Sequence, residues 1–211
     1  MQKATRFLLI LMVITLVVYY FLPRYTKYHF PLPSAKQASK TKEVQLQKIK
    51  TKAAQLKRYA SSNHYSTEYC FLLDMNVPSG RNRFFIYNFQ KDSIIASGLA
   101  AHGSCNTNYL ENARFSNAPG CGCSASGKYK IGYAYNGRFG KAYKLFGLDS
   151  SNSKAFERNI VLHAYSCIPD YEIYPQPACN SLGCPMVSYK FLGMASMLID
   201  KSKKPILLWI F

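Results

Sequence analysis

A chain of 211 residues, 48% hydrophobic and 15% aromatic, can bury one ordinary core and still carry a tail. The net charge of +17 is uneven: residues 1–67 hold 12 Lys/Arg against one acid, Glu43, whereas residues 68–211 hold 15 bases and 9 acids. A nucleic-acid binder concentrates base on its folded face, so this distribution excludes nucleic acid as the expected partner and favours anionic lipid or an acidic polymer outside the cell.

The chain begins MQKATR and continues FLLILMVITLVVYYFL, residues 7–22, without a charge. Sixteen helical residues span about 24 Å, slightly less than a hydrocarbon layer of ~30 Å. Tyr19, Tyr20, Arg6 and Arg24 can sit at the two interfaces. No small-residue cleavage site follows the run, since YYFLPRY stands there. The expectation is an uncleaved signal anchor over residues 1–24. Charge does not set its orientation, but seven cysteines in one chain put the body outside the reducing cytosol.

Residues 25–67 read as a basic spacer followed by an amphipathic helix. Three prolines in PRYTKYHFPLPSA mark the spacer. Leu46, Ile49, Ala53, Leu56 and Ala60 then recur at spacings of three and four, one apolar stripe on a helix that packs along the domain after it.

From residue 68 the pattern changes to short runs rich in β-branched and aromatic residues: 84–89, 93–103, 128–135, 142–148, 159–165 and 205–210. Asn-Gly in YNGRFG predicts a hairpin turn between the third and fourth. A helix is expected at about 188–199. The body, 68–211, is therefore mainly β (α+β) with one or two flanking helices.

Chemistry concentrates in IVLHAYSCIPDYEIYPQPACNSLGCPMVS, residues 160–188. Glycine before Cys184 permits close backbone approach, and a helix starting soon after would lower the thiol pKa and could hold an oxyanion. His163 ends an apolar strand, where its ring can emerge as the base. A disulfide cysteine and an incidental histidine fit the same spacing.

The arrangement H-x(17)-S-L-G-C-P resembles the active-site signature of YkuD-type L,D-transpeptidases. FLLDMNVPSGRNRFFIYN, AHGS, ARFSNAPG, GKYKIGYAYNGRFG and GCPMVS together resemble the divergent murein L,D-transpeptidase catalytic domain family, across residues 68–211. The resemblance implies an L,D-transpeptidase-like β-sandwich or barrel, with Cys184 as nucleophile and His163 as base. Ser181 would fix the imidazole, and N–H groups around Gly183 and Cys184 would hold the oxyanion. His102, Gly103, Ser116 and Asn117 would contact a peptide. Two departures touch the substrate side: Leu182 replaces a histidine, and Met186 stands where the family often has arginine or asparagine.

If Cys184 stays a thiolate, the other six cysteines (70, 105, 121, 123, 167 and 179) can form three bridges, and Cys167 with Cys179 would brace the loop after His163. Cys121-Gly-Cys123 lacks the paired C-x-x-C spacing of a zinc site, so no metal is expected, and no cofactor. The implied activity is L,D-transpeptidation of peptidoglycan stem peptides through a Cys184 thioester, by a monomer anchored in the bacterial inner membrane with its catalytic domain in the periplasm. An L,D-carboxypeptidase would use the same pair, and a non-catalytic wall-binding module would have Cys184 bridged.

Overall fold

The structure, a computed structural model, describes Arg6, residues 10–20 and residues 35–211. Residues 10–20 are helical. The expected span at 7–22 falls partly outside the described residues, and among those described no helix is long and apolar enough to cross a membrane. The contacts divide the chain into Met1–Gln45 and Leu46–Phe211. The second of these holds residues 68–211 together with the helical stretch from Leu46 that precedes them.

Helix α1 (Ala35–Ser62) contains the stripe read from the sequence. Ile49, Ala53, Leu56 and Ala60 are buried against Cys70, Leu72, Phe85, Tyr87 and Leu207, while Leu46 stays exposed. Burying Ile49 and Leu56 contributes about 2 kcal/mol each. Lys48 Nζ, 2.6 Å from the carboxylate of buried Asp74, ties the helix to the chain after the first strand.

Eight strands form one mixed sheet: β1 (Tyr69–Leu73), β2 (Phe84–Asn88), β3 (Ser93–Gly98), β4 (Gly127–Gly137), β5 (Gly140–Gly147), β6 (Val161–Ala164), β7 (Met186–Val187) and β8 (Leu207–Ile210). Their order is β3-β2-β1-β8-β4-β5-β6-β7, with β1–β8 and β6–β7 parallel and the other neighbours antiparallel. Helix α2 (Tyr189–Lys201) lies between β7 and β8 in sequence, and the Ser188 hydroxyl caps it by accepting from the Phe191 N–H.

Alternate residues of the central strands enter two cores, as a period of two requires. Phe71, Leu73, Phe84, Ile86, Leu208 and Ile210 join one core with Tyr143, Leu162 and Phe191. Cys70, Leu72, Phe85, Tyr87 and Leu207 face α1 instead. Both halves of the sheet feed the first core, and β6 and β7 lie at one end of the strand order.

The hairpin turn differs from the expectation by two residues. Gly137 pairs with Gly140, so Arg138 and Phe139 form the loop and Asn136 still pairs with Lys141. That shift lifts Phe139 to the hairpin tip.

Candidate active site

The turn carrying Cys184 is fixed from both sides by backbone. Ser181 N–H donates to His102 O, and Ser104 N–H donates to Ser181 O, both at 2.8 Å. Ser181 Oγ accepts from Gly183 N–H at 3.0 Å. Gly183 has φ +113°, and a Cβ there would lie 2.6 Å from Cys123 O, so this position requires glycine twice over.

Cys184 is a free thiol. Its Sγ accepts from Val161 N–H at 3.4 Å and points its S–H toward Asn159 O at 3.8 Å. His163 sits on the same strand as Val161, between Ala142 of β5 and Met186 of β7. Its Nδ1 lies 3.0 Å from Ala164 O. A carbonyl can only accept, so Nδ1 carries the proton and Nε2 is left as the basic nitrogen.

The parallel register that pairs His163 with Met186 sets Cys184 level with Val161, two residues back along β6. Two residues of strand are about 7 Å, and among the described residues no hydrogen bond joins Cys184 to His163. Nor does the ring emerge at a strand end as expected. It is 2% exposed, because Phe139 stacks on it at 4.6 Å with 18° between the rings, and Tyr165 meets Phe139 edge-on at 5.5 Å. Burial holds the His163 pKa below the ordinary histidine value, against the opposing bond to Ala164 O.

The thiol's electrostatics also differ from the expectation. Burial pushes the Cys184 pKa up, opposed by the Val161 N–H and by the charges of Arg158 and Lys144. The helix expected to lower it starts only at Tyr189, beyond β7. Arg158 binds Ser116 O at 2.7 Å, Cys123 O, and Cys121 Sγ at 3.4 Å. Cys121 is consequently the more acidic thiol: burial raises its pKa, but the Cys123 N–H, Ser116 and Arg158 together bring it below the usual value.

Several residues expected at the site make their hydrogen bonds within the scaffold. Ser181 holds Gly183 rather than the imidazole of His163. His102 is fully buried, with Arg83 Nη2 donating to its Nδ1 at 2.8 Å and its Nε2 donating to Leu110 O at 3.0 Å. Burial, then the charge of Arg83, lowers its pKa to about 4, so the ring is neutral at pH 7. Gly103 N–H donates to Ser124 Oγ at 3.0 Å, where a Cβ would strike Gly122 O. Ser116 Oγ accepts from Ala118 N–H, and Asn117 bridges Ser150, Ser153 and Lys154. Ser116 is satisfied within its own loop, whereas Asn117 ties that loop to residues 150–154. Leu182 is exposed two residues before the thiol, whereas Met186 is buried with Leu99 and Ala101.

Two bridges form where three were expected. Cys167 bonds Cys179, bracing the loop after His163, and Cys105 bonds Cys123. Cys70, buried in the central strand, and Cys121 remain thiols. Among the described residues no group of three His, Cys, Asp or Glu could hold a metal.

The sequence reading missed Arg158, Lys144, Val161 and Phe139. Arg158 and Asn159 directly precede the apolar run IVL, and a polar Arg-Asn pair entering a buried strand is the available signal. Phe139 and Lys144 gave none, because only the strand register brings them beside His163 and Val161.

Residues 40–211 match a family model described as the L,D-transpeptidase catalytic domain. No curated protein matches the chain. Among solved structures, it is similar to an L,D-transpeptidase from Mycobacterium smegmatis (10% identity, TM-score 0.40, covering 68% of this chain and 58% of that one). It is also similar to the helical cell shape determining protein Pgp2 from Campylobacter jejuni (11%, 0.42, covering 67% and 46%). A third is the L,D-transpeptidase from Xylanimonas cellulosilytica (12%, 0.38, covering 73% and 68%). The chain spans about half the length of the first two. Likeness at this level assigns no residue of this chain a role.

Proposed function

The chain belongs to the L,D-transpeptidase catalytic domain family, and from that premise we propose that it is a cysteine peptidyl-transferase acting on peptidoglycan stem peptides. The observation that carries the reading is the free Cys184 thiol, held by the Val161 N–H on the strand that bears His163 Nε2.

His163 Nε2 takes the proton from Cys184 Sγ, and the thiolate attacks a backbone carbonyl of the donor stem peptide. The tetrahedral oxyanion is received by the Cys184 N–H, because the Gly183 N–H is already given to Ser181 Oγ. Collapse breaks the peptide bond. The departing D-alanine amine collects the proton from His163, and the acyl group stays on sulfur as a thioester. An amine of a second stem then attacks, His163 removes its proton, and the Cys184 thiol is regenerated with a new crosslink.

Two adjustments belong to this cycle. Sγ must turn from Asn159 O toward Nε2, a tightening that such pairs commonly undergo when substrate binds. The raised thiol pKa means that proton transfer to His163 accompanies attack, rather than a standing thiolate waiting for substrate.

The apolar run at 7–22 supplies the anchor in this reading, with the body in the periplasm, where the Cys105–Cys123 and Cys167–Cys179 bridges persist. Product analysis of a stem tetrapeptide, with and without an amine acceptor, tests the reaction. Crosslinked dimer is expected with acceptor present. Tripeptide alone under both conditions would make the enzyme an L,D-carboxypeptidase.

A further inference from the structure

The outer face of the β4–β5 hairpin carries an aromatic and basic strip that leads away from Cys184. Lys144 begins it. This residue pairs in register with Val161, whose N–H holds the thiol, and it lies on the same sheet face as His163, which pairs with Ala142. Lys144 Nζ donates to Asn159 Oδ1 at 2.9 Å and stands over the rings of Tyr135 and Phe156, at 5.5 and 5.4 Å.

From there the rings continue without a gap. Phe156 stacks on Phe146 at 5.0 Å, Tyr133 meets Phe146 at 6.4 Å, and Lys130 Nζ lies 4.4 Å from the Phe146 centroid. A register shift between Ile131 and Ala134 turns Tyr133 outward, so that it is 58% exposed, and Phe156 is 49% exposed. Beyond Tyr133 the strip enters a cleft of ≈ 380 Å³ that adds Lys203 and Lys204.

The ion pairs on these strands leave the four lysines unmatched. Lys128 takes Asp149, and Lys141 takes Asp200. Among the described residues no carboxylate lies within ion-pair distance of Lys130, Lys144, Lys203 or Lys204. Exposed rings interleaved with unpaired cations favour a ligand with apolar faces and negative charges along one chain.

We propose that this strip is the docking surface for a strand of the acidic wall polymer, with sugar rings lying on Tyr133, Phe146 and Phe156 and peptide carboxylates meeting the four lysines. The proposal rests on the peptidoglycan reading above and deepens it: the polymer binds along the hairpin, and Lys144 takes the carboxylate nearest Cys184. An exposed side chain contributes only a modest amount, so affinity comes from several acting together.

The test is co-sedimentation of the full chain, in detergent and in a Cys184→Ala background, with purified peptidoglycan sacculi. Tyr133→Ala with Phe156→Ala, and separately Lys130→Gln, Lys144→Gln, Lys203→Gln and Lys204→Gln together, are each expected to weaken binding about tenfold, the equivalent of ~1.4 kcal/mol. Lys91→Gln with Lys190→Gln, exposed elsewhere, leaves it unchanged. Thermal melts confirm that each variant is folded. Undiminished binding by both strip variants overturns the proposal. So does a loss confined to phosphatidylglycerol vesicles, which would make the partner a membrane. Labelling of Cys184 by a carbapenem reads the catalytic proposal independently, so failure of one leaves the other standing.

Discussion

Phe139→Ala exposes the relation between the hairpin tip and the base. The Phe139 ring is 41% exposed, so more than half of it is buried, against His163 at 4.6 Å and Tyr165 at 5.5 Å. Removing that share of a phenylalanine costs about 1–2 kcal/mol, to which the ring stacking adds roughly 0.5–1 kcal/mol. In a protein of this size each kcal/mol lowers Tm by about 2–4 °C. The electrostatic consequence is more specific. Burial is the main cause of the lowered His163 pKa, so uncovering the ring moves that pKa up, toward about 6.5. A histidine that binds its proton less readily when folded stabilises the fold fully above the ordinary histidine range, and that contribution is lost as pH falls from there toward the folded value. The variant should therefore lose less stability between pH 7 and pH 5 than the parent, although it starts lower. NMR titration of the His163 ring, assigned with a His163→Gln variant, follows the shift directly. An unchanged or lowered His163 pKa in Phe139→Ala refutes the reasoning.

Three further outcomes follow from the same geometry. Under native conditions at pH 7, iodoacetamide should modify Cys121 faster than Cys184 and leave buried Cys70 untouched, because the Cys123 N–H, Ser116 and Arg158 together lower one thiol's pKa and burial raises the other's; peptide mapping with Cys184 labelled first would contradict it. Gly183→Ala combines a backbone strain of about 1–3 kcal/mol with a clash against Cys123 O, whereas Gly120→Ala, with φ +69° and open space, meets only strain; urea denaturation should rank the first well below the second, and equal losses would remove the argument for a tight turn. His102, with its pKa at about 4, stabilises the fold fully above pH ~6.5 and loses up to about 3 kcal/mol of that contribution as pH falls to 4; His102→Gln should flatten the acid side of the stability curve, and an unaltered slope would assign the loss elsewhere.

Much of the body was legible because its strands alternate or end in clear punctuation. The stripe on α1 and the strand before His163 needed only periodicity. Strand β1, YCFLL, escaped notice for a physical reason: Cys70 and Leu72 face one core while Phe71 and Leu73 face the other, so a central strand shows no polar face. The hairpin turn was misplaced because Gly137 and Gly140 both suit a turn, and only pairing decides between them. Cys184 and His163 stood out as residue types in a spacing. Their state did not, since burial of the thiol and the cover by Phe139 depend on which strands become neighbours. His102 looked like a site residue because a histidine before glycine at a strand end has no visible partner. Its partner, Arg83, lies 19 residues earlier, just before β2, and is itself buried, bound to Val77 O and Ala100 O. Cys121, Cys123 and Cys105 offered several pairings of equal merit, and the fold selects Cys105–Cys123 by crossing their loops at Gly122.

The central claim is that Cys184, although the less acidic of the two accessible thiols, is the one that forms a thioester. Intact-mass analysis after incubation with a carbapenem addresses it most directly, using the parent, Cys184→Ala and Cys121→Ala. A single adduct is predicted on the parent and on Cys121→Ala, with none on Cys184→Ala. An adduct that survives in Cys184→Ala, or disappears in Cys121→Ala, would contradict the account and move the chemistry to the Arg158-bound sulfur.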